Sequence, residues 1–110
     1  MSLTLYGLKN CDTCKKALKA LEAAGKSVTF VDIRAEADLP ALLPNWLDAA
    51  GADLLINRRS TTWRGLSEDE RAGNPLALLA QNPTLVKRPV IEASGHVHVG
   101  WTKDVQSALL

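Results

Sequence analysis

The chain's only two cysteines stand three residues apart, in Lys9-Asn10-Cys11-Asp12-Thr13-Cys14-Lys15-Lys16, and what flanks them restricts the fold. Before them, Leu3-Thr4-Leu5-Tyr6-Gly7 reads as a buried strand. After them, Ala17 to Ala24 reads as a helix stopped by Gly25. Sulfurs at such a junction meet unpaired backbone N–H groups and the positive end of the helix dipole. With Lys9, Lys15 and Lys16 nearby, that setting favours the thiolate and lowers its pKa below the free value of about 8.5. Cys11, nearer the helix tip, is the candidate nucleophile. Cys14 lies one helical turn on and is the candidate resolving thiol, placed to attack a mixed disulfide on Cys11. Two other fates compete. A free cysteine is often a small buried hydrophobe. His96 and His98 alternate on an expected strand and could complete a Cys₂His₂ zinc set. The strand–helix placement of C-x-x-C favours redox chemistry over both, so no metal is expected.

The remaining elements follow in order. Ser27 to Ile33 is rich in β-branched and aromatic residues and reads as a second, parallel strand. Leu39, Leu42, Leu43, Trp46 and Leu47 form a helical stripe that ends near Gly51, with Asp38 as a candidate cap. Pro44 interrupts that stripe, so the helix either starts late or is kinked, and a late start is favoured. Ile56 to Leu66 shows no period and carries Arg58, Arg59 and Arg64. Ser67 with Glu70 forms a capping box, and Asn74-Pro75 starts another short helix. Val90 to Ala93 and His96 to Trp101 read as a hairpin turning at Ser94-Gly95. Thr102 caps a last helix with Val105 and Leu109 inward. The plan is α/β, a thioredoxin-like β-α-β … β-β-α fold in one domain over residues 1–110, with a helical insertion over roughly 38–82.

Composition sets outer limits. With 46% apolar residues the chain can build its own core. A formal net charge of +1 argues against nucleic-acid or membrane-surface binding. No basic-then-apolar leader and no apolar run near the ~20 residues of a span are evident. Two closely spaced cysteines suit a reducing compartment. A soluble, cytoplasmic monomer is expected.

The motifs Tyr6-Gly7-Leu8-Lys9-Asn10-Cys11-Asp12-Thr13, Arg59-Ser60-Thr61-Thr62-Trp63-Arg64-Gly65-Leu66 and Lys87-Arg88-Pro89 occur in order. Together they resemble the arsenate reductase/Spx-like family, and most closely its small YffB-like branch. The resemblance spans essentially the whole chain. It implies a thiol active site with Cys11 as nucleophile, and Arg88 as an anion-binding arginine before a cis Pro89. It further implies that glutathione and glutaredoxin reset the oxidised product. The family's loop arginine falls at or beside Asn57, where Arg58 or Arg59 could replace it only by a shifted register, and the one expected before the last helix falls near Trp101, where none is present, which weakens arsenate specificity. Cys14 is absent from the arsenate reductases and present in the Spx-type regulators. The expected substrate- or anion-binding set is Arg88, Pro89, Arg59, Arg64, Lys9 and Asn10. Arg58, Arg59 and Arg64 also fit a merely solvated loop, and Trp63 a packing role. The expected function is a glutathione- or glutaredoxin-coupled thiol reductase acting on a disulfide or small oxidised substrate. It binds no cofactor, and glutathione is its co-substrate. The alternative is an Spx-like redox-switched regulator that binds RNA polymerase.

Overall fold

A computed structural model describes residues 2–110. In chain order its elements are β1 (Ser2–Gly7), α1 (Asp12–Ala23), β2 (Ser27–Asp32), α2 (Leu39–Ala50), α3 (Ala52–Leu55), α4 (Thr61–Arg64), α5 (Glu68–Arg71) and α6 (Pro75–Gln81). A 3₁₀ turn (Pro83–Leu85), β3 (Val90–Ala93), β4 (His96–Val99) and α7 (Lys103–Leu109) complete it. The elements gather into two compact units. One holds residues 2–37 with Arg88–Leu110, and the other Asp38–Lys87.

The first unit is a four-stranded sheet in the order β2-β1-β3-β4. β1 runs parallel to β2 and antiparallel to β3, which pairs antiparallel with β4. The period-2 alternation puts Leu3 and Leu5 on the same face as Ile91 and Ala93. Cys14, Ala17 and Leu21 of α1 and Val105 and Leu109 of α7 close the core over that face. Burying each leucine contributes about 1.5–3 kcal/mol, which fixes the strand register. Ser94 and Gly95 both have positive φ (51° and 80°), as a two-residue hairpin requires. The Thr102 hydroxyl accepts from Val105 N at 3.2 Å and starts α7.

The second unit is helical, and here the sequence reading needs correction. α2 does not start late: it begins at Leu39 and carries Pro44 inside. Leu39, Leu43 and Trp46 are all buried, which requires helix from the outset. Each buried leucine contributes about 1.5–3 kcal/mol, which offsets the ~3 kcal/mol cost of an interior proline. Asp38 occupies the cap position but its side chain makes no cap hydrogen bond. The Ser67–Glu70 capping box and the Asn74 cap form as expected, Leu76 N donating to Asn74 Oδ1 at 2.8 Å. The aperiodic arginine stretch contains the one-turn helix α4, too short to show a period. Ser60 Oγ accepts from Trp63 N, and Arg71 donates to the carbonyls of Trp63 and Arg64.

Candidate active site

β1 ends at Gly7, and a tight turn carries the chain into α1. Cys11 N donates to Leu8 O at 3.2 Å, and Cys11 O accepts from Lys15 N at 3.0 Å. Cys11 is therefore the N-cap residue, its half-buried sulfur at the helix mouth, while Cys14 sits wholly buried in the first turn.

The two sulfurs have opposite electrostatics. Burial opposes ionisation of Cys11. It is outweighed by the Cys14 thiol and the Cys14 N–H donating to it, the positive charge of Arg88 and the Thr13 N–H, so its pKa lies below that of an ordinary thiol. Cys14 is pushed up to about 12, first by burial and then by the hydrogen bond it donates to Cys11. Cys11 is thus the more readily ionised of the two sulfurs and Cys14 its proton-bearing neighbour. The helix mouth acts as the sequence implied, but the cation acting on both sulfurs is Arg88. Lys9, expected beside the thiolate, acts on the Asp32 carboxylate.

Arg88 and Pro89 immediately precede β3, at the same end of the sheet as Cys11. Their peptide bond is cis, and Gly100 N donates to Pro89 O at 2.8 Å. One guanidinium nitrogen of Arg88 is fully shielded and has no hydrogen-bond partner among the described residues. A shielded, unspent donor beside a thiolate suits an anionic ligand.

Lys9 and Asn10 are exposed on the turn before Cys11. With Leu8, Asp32, Arg34 and Ala35 they line an open crevice of about 410 Å³. Arg59 and Arg64 are exposed and belong to the helical unit. In the helical unit Arg58 pairs with Asp53 at 3.1 Å. It also stacks over Trp63, and Arg71 stacks on that ring as well, each 5.5 Å from the centroid. Trp63 is thus a packing residue. Asn57 holds its own turn: Oδ1 accepts from Arg59 N and its carbonyl from Ser60 Oγ. Trp101 packs against the core of the sheet unit. No group of three or more metal-ligating side chains is assembled among the described residues, so the zinc alternative has no support.

Gly7 was not singled out as a site residue. A Cβ there would lie 2.5 Å from Cys14 Sγ and 3.1 Å from Cys14 Cβ, so only glycine lets the strand end pass this close to the buried thiol. The signal was present as a glycine closing a strand four residues before a cysteine.

A four-stranded thioredoxin-like sheet with a cysteine of lowered pKa at the N-cap position of its first helix defines a thiol-site protein of that fold. The ArsC family model matches residues 6–109, and the chain belongs to that family. An uncharacterised Haemophilus influenzae protein is 42% identical over 96% of this chain and 97% of its own. The solved YFFB protein superposes with a TM-score of 0.88 at 34% identity, covering 98% of each chain. A Brucella melitensis arsenate reductase-related protein is 40% identical with a TM-score of 0.78, covering 98% of this chain and 93% of that one. The Spx regulators of Lactococcus lactis are more distant, at 24% identity over 98% of this chain and 86% of theirs.

Proposed function

We propose that the protein is a glutathione-dependent thiol–disulfide reductase with Cys11 as nucleophile. The observation that carries this reading is the split between the two sulfurs: a more readily ionised one at the helix mouth facing Arg88, and a buried thiol donating to it. Cys11 thiolate attacks one sulfur of a substrate disulfide, forming a mixed disulfide and expelling the other half as a thiolate that takes a proton from water. A second thiol then attacks the mixed disulfide. If Cys14 does so, it gives up its proton, the Cys11–Cys14 disulfide forms and the second substrate half leaves. Two glutathiones then restore the dithiol and become one glutathione disulfide. If glutathione attacks first, it displaces Cys11 as the thiolate and carries the second substrate half off as a mixed disulfide, which a second glutathione reduces, releasing the thiol and forming glutathione disulfide.

The structure's chemistry favours the second route. Cys14 is pushed up to about 12, first by burial, which makes it a poorly ionised nucleophile. Burial, the largest cause, persists after Cys11 is capped. The exposed turn around Lys9 and Asn10 leaves room for an incoming thiol. The missing arginines at Asn57 and Trp101 leave Arg88 as the transferred oxyanion ligand, a weak grip on small hydrated arsenate. Glutathione supplies two carboxylates, and charge-assisted hydrogen bonds contribute roughly 1.5–3 kcal/mol each. The reading places the enzyme as a soluble monomer in a reducing compartment such as the cytoplasm.

The test is turnover of hydroxyethyl disulfide with glutathione, NADPH and glutathione reductase, run beside a glutaredoxin-coupled arsenate assay. Wild type is expected to turn over the disulfide, Cys11→Ser not at all, and Cys14→Ser at a rate within a few-fold of wild type. Robust arsenate turnover with no disulfide exchange would reverse the assignment. A second reading, a stoichiometric redox switch in a regulator, draws on the Spx relatives and the adjacent cysteines. It predicts a Cys11–Cys14 disulfide with no catalytic turnover.

A further inference from the structure

Cys11 is flanked on both sides at one end of the sheet. β1, which delivers it, lies between β2 and β3. Because β2 is parallel to β1 and β3 antiparallel, the end of β2 and the start of β3 lie at the same end as Cys11. Each carries an arginine two residues from the strand: Arg34 after Asp32, and Arg88 before Val90. On the β2 flank the crevice of about 410 Å³ brings Lys9 and Asn10 against Arg34 and Ala35.

The turn bearing Arg34 is well tied. Asp32 Oδ1 accepts from Arg34 N at 2.8 Å and from Ala35 N at 3.0 Å, and Asp32 O accepts from Glu36 N and Ala37 N. The one carboxylate in the crevice, Asp32, is held by backbone N–H groups; Lys9 and Arg34 act on it electrostatically, but neither forms an ion pair among the described residues.

From this geometry we infer that the β2 flank is a second carboxylate subsite, formed by Lys9 and Arg34, which selects thiols carrying two separated carboxylates around the sulfur. β2 and β3 are two strand spacings apart, about 9–10 Å. An extended three-residue thiol such as glutathione spans about 10 Å with its thiol between its two carboxylates. One carboxylate reaches Arg88 and the other Lys9 and Arg34, with the sulfur over Cys11. A thiol with a single carboxylate satisfies only one flank.

This rests on the reading of Cys11 as exchanging with glutathione, and the experiment separates the two claims. Amide chemical-shift titrations with glutathione and with its monoethyl ester are run on wild type, Arg34→Ala, Arg34→Glu and Arg88→Ala. Arg34 is an exposed turn residue, so its replacement leaves the fold intact, which the same spectra check. Glutathione is expected to bind Arg34→Ala about threefold more weakly and Arg34→Glu about tenfold more weakly than wild type. The ester, lacking one carboxylate, should be insensitive to one of the two flanks and still sensitive to the other. Shifts at Cys11 with equal affinity for wild type and both Arg34 variants overturn the subsite and leave the reductase reading standing. An ester as sensitive as glutathione to both flanks overturns the two-carboxylate selection. No shifts at Cys11 in wild type overturn the reductase reading and the subsite with it.

Discussion

Gly7→Ala is a sharp probe of the site's packing, because its sign separates two outcomes. The φ of Gly7 is not positive, so alanine is compatible with the backbone. In open space the change would stabilise by about 0.4–1 kcal/mol by narrowing the unfolded ensemble. The new Cβ instead lands 2.5 Å from Cys14 Sγ, about 1 Å inside ordinary contact, and 3.1 Å from Cys14 Cβ. Cys14 is wholly buried in the first turn of α1, so the overlap must be relieved by moving its side chain within the core. Overpacking of this kind costs about 1–3 kcal/mol, which lowers Tm by roughly 4–20 °C in a domain of this size. Displacing Cys14 also weakens its hydrogen bond to Cys11, so alkylation of Cys11 at pH 6 should slow. Cys14→Ala alone removes a buried sulfur at about 1–2 kcal/mol. It also clears the 2.5 Å overlap, so the double variant should be at least ~1 kcal/mol more stable than the sum of the singles. The assay is guanidinium unfolding of the four proteins of this cycle, with m-values checked for constancy. A stabilised Gly7→Ala, or the same penalty with and without the Cys14 sulfur, refutes the reasoning.

Arg88→Ala should slow iodoacetamide alkylation of Cys11 at pH 6 by about two- to tenfold, since one charge interaction with the thiolate is lost. An unchanged rate removes Arg88 from the thiolate's environment. Stability should decline at alkaline pH, because Cys14 and Tyr6 are both held neutral, each pushed up to about 12. Their contribution is complete below the unfolded values of about 8.5 and 10 and is lost as pH rises through about 12. Cys11 has the opposite sign: its contribution is present above the unfolded value and lost as pH falls through its lowered one. Urea midpoints at pH 7 and 10.5 should therefore fall in wild type and fall less in Tyr6→Phe/Cys14→Ala, and parallel declines would count against this assignment. Pro44→Ala should stabilise by about 1–3 kcal/mol by restoring a helical N–H on the exposed side of α2. A loss of stability would mean that the proline shapes the helix.

Much of the sheet unit was legible because its signals are local. The strand–cysteine–helix junction, the Ser94-Gly95 hairpin and the Thr102 cap each need only a few consecutive residues, and each formed. The helical unit was less legible because its decisive term is tertiary. Pro44 forbids a helix interior on local grounds, and the burial of Leu39, Leu43 and Trp46 overrides it. Likewise α3 and α4 are single turns, α4 held by the Ser60 cap and by Arg71, and no sequence period extends over four residues.

The site divides along the same line. The helix tip and the order of nucleophile and neighbour follow from spacing, since residues three apart on a helix must meet. Which cation faces the sulfur does not follow, because it depends on which strand end lies alongside. Lysines adjacent in sequence were the natural candidates, yet an exposed lysine on a helix surface is screened by water, and Lys9 faces Asp32. Arg88 arrives from 77 positions away, through the pairing of β3 with β1, and with part of its guanidinium shielded. The burial that C-x-x-C spacing cannot reveal then decides the chemistry of Cys14. The same hydrogen bond that stabilises the Cys11 thiolate holds a proton on Cys14. In the resting state Cys14 therefore acts on Cys11 as a hydrogen-bond donor, held protonated by its burial.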